Sequence, residues 1–122
     1  MKQTVATVVG ILVLILLLTL TISSEVQAQT ITKEQTERCK IFSNVAGNMM
    51  VVRQSGGTLA YLLGVIDEQE DAMEEVVVLL KGMAIEAFNK TRFMSEEFQK
   101  RAISDFSSYY EVECINQYWR SK

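Results

Sequence analysis

The chain of 122 residues contains no histidine and no proline, and only two cysteines. Without histidine it lacks the commonest general base, the usual activator of a nucleophile and the commonest zinc ligand. An enzyme would have to work with carboxylates alone. The adjacent pairs Glu74/Glu75 and Glu96/Glu97 would point about 100° apart on a helix, a poor start for a paired acid and base, and charge at a helix start accounts for them. No Cys-x-x-Cys motif offers redox chemistry. The acidic run from Asp67 to Glu75 follows helical spacing and lacks the glycine-centred loop of an EF-hand, so neither a metal nor another cofactor is assigned. There is no basic tract either: 12 Lys and Arg are scattered among 15 Asp and Glu, for a net charge of -3. Phosphate binding needs a concentrated positive field, which argues against nucleic acid as a partner.

What the chain does have, first, is an address. Lys2 precedes an uncharged stretch from Gln3 to Ser24, and Val26-Gln27-Ala28 follows. Small residues at those positions suit a signal peptidase, which makes residues 1–28 a signal peptide cut at Ala28/Gln29. The apolar run from Val5 to Ile22 also reaches the roughly 17–20 residues that cross a bilayer as a helix, so an uncleaved signal anchor stays open. The cleavage site and the polar sequence after it favour removal. In either case Lys2 stays inside and Glu25 onward goes out. Membrane contact is then expected only through residues 1–28, and only if the leader is retained.

Residues 29–122 are enough for one small domain and too few for two independent cores. Apolar residues recur there at helical spacing, with no sustained alternation, so the expected fold is all-α: a small bundle of three long helices plus a short one. The first helix should open at Thr32, with Gln35 closing a capping box. Its inner face would carry Cys39, Phe42, Val45, Ala46, Met49 and Val52, and Gly56-Gly57 would end it. The segment Thr58–Ile66 reads as a short helix or a packed loop.

The acidic run then leads a third helix, with negative charge near the positive end of its dipole. In that helix Val76, Val77, Leu80, Met83, Ala84, Ala87 and Phe88 share a face, and Val78, Leu79 and Ile85 widen it. So broad a stripe predicts the central, most buried helix. After the polar turn at Asn89–Arg92, Ser95 caps the last helix. Its inner face would carry Phe98, Ala102, Ile103, Phe106, Tyr110, Cys114 and Tyr118.

An even cysteine count in an exported chain reads as one disulfide, Cys39 with Cys114, against the alternative of two separate buried thiols. Each cysteine lies on the apolar face of its helix, so the bond would staple the ends of the bundle.

The order Cys39, then Arg53-Gln54 before a glycine, then Glu86-Ala87-Phe88, then Ser95-Glu96-Glu97-Phe98 leading to Phe106, Tyr110 and Cys114 resembles uncharacterised small exported helical proteins of bacteria and their phages. The resemblance spans most of residues 29–122. It implies a prokaryotic or phage origin and a helical, disulfide-bonded domain outside the cytoplasm, and it brings no known reaction.

Four aromatic side chains near the carboxyl end, Tyr109, Tyr110, Tyr118 and Trp119, cannot all face inward from one helix, and exposed aromatics are typical partner anchors. Tyr109, Tyr118, Trp119 and Arg53 are therefore the candidate partner surface. Covering the core beside the disulfide is the competing use of the aromatics, and complementing the helix dipole that of Arg53. Ser55-Gly56-Gly57-Thr58 could expose amides to an anion, but a helix stop explains it equally. Asn89-Lys90-Thr91 matches a glycosylation acceptor that matters only in a eukaryotic secretory route.

The leading expectation is a non-enzymatic binding or inhibitor module, periplasmic or secreted, that meets a protein of the cell envelope. Alternatives are a membrane-tethered regulator of phage lysis or superinfection, anchored in the inner membrane with its carboxyl terminus outside, and a small periplasmic acid-stress chaperone. An enzyme ranks last.

Overall fold

A computed structural model describes residues 30–121. The leader and the cleavage site at Ala28/Gln29 lie outside them. Four helices follow in order: α1 (Lys33–Gln54), α2 (Leu59–Asp67), α3 (Glu74–Asn89) and α4 (Glu96–Arg120), with no strand among the described residues. The expected three long helices and one short one are present. Local chemistry sets their starts. The Thr32 hydroxyl accepts from the Gln35 amide while the Gln35 side chain accepts from the Thr32 amide, closing the capping box. Thr58 and Ser95 cap α2 and α4 in the same sense. The α1 stop rests on Gly56, at φ 88°, a left-handed conformation that glycine adopts without a Cβ clash.

The long helix α1 is the shared wall of the bundle, since α2, α3 and α4 all pack on it. It runs antiparallel to α4, because Cys39 meets Cys114, Ser43 meets Ser107, and Gln54 meets the loop before α4. The Cys39–Cys114 disulfide joins Cα atoms 5.5 Å apart, within the usual range. One turn on, each hydroxyl of the pair Ser43/Ser107 lies 2.9 Å from the other residue's carbonyl oxygen, and the two hydroxyls are 2.8 Å apart. Gly47 also lies on the seam, where a Cβ would stand in ordinary contact with the Ser107 side chain at 3.5 Å and anything larger would meet it. Small residues thus bring the two backbones close, and reciprocal bonds satisfy the polar groups buried by that approach.

The core combines Ala46, Met49 and Met50 of α1, Leu62 and Ile66 of α2, Met83, Ala84 and Ala87 of α3, and Phe106 of α4. One expectation is overturned. Helix α3 is not the most buried, because Val78, Leu79 and Ile85 are 65%, 49% and 45% exposed. These residues widen the apolar stripe without a neighbour to cover them, and α1, flanked on several sides, holds the centre. Phe98 likewise turns outward and packs beside Phe93 and Arg101 rather than on α1.

Gln54, buried at the end of α1, ties down the α3–α4 connection. Its Nε2 donates to the Thr91 carbonyl at 2.8 Å, its Oε1 accepts from the Phe93 amide at 2.9 Å, and its own carbonyl accepts from Arg92.

Two predictions follow from these ties. Cys39→Ser and Cys114→Ser should each lower stability by about 4 kcal/mol, and the double variant should lose little more; additive losses in thermal melts would show that the pair is not what stabilises the domain. Gln54→Leu should cost about 2 kcal/mol in urea unfolding and expose the Phe93 amide to hydrogen exchange. An unchanged midpoint would show that the connection holds without it.

Candidate functional site

Because α3 and α4 each pack on α1 but scarcely on one another, a groove runs between them with α1 as its floor. One half, about 500 Å³, has Met50 at its base and Phe93, Ala102 and Phe106 on the α4 side. Glu86, Lys90 and Asp105 mark its rim. The other half, about 320 Å³, lies toward the disulfide and is lined by Phe42, Leu79, Tyr110, Cys114 and Tyr118, with Arg38 and Glu113 at the edge. Tyr109 borders both halves.

Between the halves, the Tyr110 hydroxyl donates to the Glu86 carboxylate, so a single strut from α4 to α3 spans the groove. Tyr110 is fixed on its other sides by edge-on contacts with Phe42, Phe106 and Tyr109, at ring separations of 5.6, 5.0 and 5.2 Å. Burial, and then the bond to Glu86, push its phenol pKa well above the ordinary value of 10.0. The group is a neutral donor at physiological pH, suited to holding geometry rather than to moving protons. At the far end Arg38 pairs with Glu34 at 2.7 Å, which raises its pKa further, with a smaller push from Tyr118. Among the described residues no three acidic or cysteine side chains gather as a metal site.

The residues singled out from sequence fall in four places. Cys39 and Cys114 form the disulfide that backs the smaller half of the groove. Tyr109, half-exposed, and Tyr118 line the groove. Trp119, 52% exposed, lies outside its lining. Arg53 is also elsewhere: its guanidinium stacks on Phe88 at 5.4 Å and donates to the Lys90 carbonyl at 3.2 Å, joining the ends of α1 and α3. Sequence reasoning passed over Glu86 as a groove residue, although a signal existed. It is the one carboxylate between Val76 and Phe88.

No family model, curated protein or solved structure matches this chain. The site therefore stands on its own geometry.

The strut has a measurable signature. A folded-state pKa above the unfolded one means that its stabilisation is present in full below about pH 10 and is lost as the pH rises through the folded-state value. In an ultraviolet titration, Tyr110 should ionise last of the four tyrosines, and Tyr110→Phe should remove that last phase and cost about 1 kcal/mol at neutral pH. Coincident ionisation of all four would show that the strut is absent in solution.

Proposed function

We propose that this protein is a non-enzymatic binding module, exported to the periplasm or secreted, that receives an amphipathic segment of an envelope protein in the α3–α4 groove. The observation that carries the reading is the groove itself, an apolar trough floored by α1, crossed by the Glu86–Tyr110 strut and bordered on both sides of it by Tyr109. Such a trough matches the way an amphipathic helix or strand lays its apolar ridge into a partner. The rim carries both signs of charge, Lys90 and Arg38 against Glu86, Asp105 and Glu113, which suits a protein segment better than a polyanion or a polycation. Methionine at the base, Met50, adapts to irregular side chains. The disulfide fits an oxidising compartment, and among the described residues no helix is long and apolar enough to cross a membrane.

Site-specific photo-crosslinking in the producing cell tests the reading. A benzophenone side chain in place of Tyr109 should give a discrete adduct with an envelope protein. One in place of Ile41, exposed on α1 outside the groove lining, should not. Filling the groove with Ala102→Trp should abolish the adduct. No adduct from position 109, or the same adducts from both positions, would remove the groove as the contact surface.

A further inference from the structure

The larger half of the groove is a cup with two ends. Glu86, the α3 foot of the strut, bounds it toward the disulfide, and Thr91 and Phe93 of the α3–α4 connection bound it at the other end. Its volume of about 500 Å³ lies in the range of sites that enclose one compact ligand group. Met50 forms the base, and Phe93, Phe106 and Tyr109 bring aromatic rings to the lining, so the group that enters is apolar.

Charge on the rim says what stands beside that group. Three charged side chains reach it, Glu86, Lys90 and Asp105. Glu86 already has two partners, since it accepts from the Tyr110 hydroxyl and its Oε1 faces Lys90 Nζ at 3.8 Å. Asp105 has no ion pair among the described residues: Arg101, one turn earlier on the same helix, pairs instead with Glu97 at 3.8 Å and lies over the Phe98 ring. The cup is therefore left with one uncompensated negative charge, on an exposed side chain. Ala102, Asp105 and Tyr109 follow one another at i, i+3 and i+7, so this carboxylate stands on the α4 face that lines the cup.

We propose that the segment received by the groove puts a large apolar side chain into this cup and, one helical turn along, a lysine or arginine against Asp105. The inference rests on the groove reading and adds its selectivity. A basic residue gains a partner that the chain itself does not supply, whereas an acidic one in that place meets an unpaired carboxylate at close range. Asp105 is exposed, so the pair acts on the choice of partner and on encounter more than on total affinity.

Three probes of similar shape and different charge, phenethylammonium, phenethyl alcohol and hydrocinnamate, test this on the oxidised protein by titration of the Met50 methyl and Tyr109 ring resonances. The ammonium should bind with millimolar affinity, the alcohol about threefold more weakly and the carboxylate more weakly still. Asp105→Asn should bring the ammonium down to the alcohol's affinity and leave the alcohol unchanged, and Asp105→Glu should keep the preference. In the producing cell, the peptide joined to a benzophenone at position 109 should carry a basic residue within a turn of the joined site. Equal binding of all three probes, or an adduct whose peptide is acidic there, would overturn the charge selectivity while the groove stood. No shift at Met50 with any probe would remove the cup itself. A preference for the ammonium without a protein adduct would replace the segment by a free amine, and the groove reading would fall with it.

Discussion

The rest of the bundle depends on the seam between α1 and α4. Here a covalent bond, a reciprocal pair of serine hydroxyls and a glycine follow one another along adjacent turns. Each device depends on the others. The backbones approach because Ser43, Gly47 and Ser107 are small, and that approach buries polar groups that the hydroxyls then satisfy. The same approach places the Cys39 and Cys114 Cα atoms within bridging range. A bulkier residue at Gly47 would act on all three at once. Closure of this long loop offsets much of the chain entropy that a domain with so small a core cannot offset by burial.

With α4 fixed along one side of α1, α3 takes another, and the two flanking helices are left apart. The trough between them follows from that arrangement, and among the described residues no further long helix fills it, since α2 is short and lies against α3 and α1. Three local ties set its width: Glu86–Tyr110 across the middle, Arg53 on Phe88 at one end, and Gln54 holding the connection into α4. In the first of them the Tyr110 phenol is kept neutral by burial and by its bond to Glu86. The strut's polar chemistry holds geometry, and that is the ground on which recognition is proposed.

Features encoded by nearest neighbours were legible in the sequence. The Thr32/Gln35 box, the Ser95 cap, the Gly56 stop and the helical period each depend on residues within a turn of one another. The Cys39–Cys114 pairing was legible for a different reason, since two cysteines allow only one bond. Features that depend on which faces meet were not. A serine on an apolar helix face reads as a blemish, and only the partner serine on α4 makes Ser43 part of a contact. Gln54 reads as a solvated helix end until the 91–93 segment is seen folded over it. Helix α3 misled for the opposite reason: apolar residues around most of its circumference look like deep burial, whereas Val78, Leu79 and Ile85 are left exposed.

That uncovered surface is costly in isolation, because Val78 and Ile85, partly left in water, gain less from folding than buried residues would, and a glycine weakens the helix. Polar residues at Val78 and Ile85 and alanine at Gly82 would serve a solitary α3 better on every count. The glycine separates the two apolar residues. The stripe also adjoins the groove, since Leu79 and Glu86, one turn to either side of Gly82, line that groove.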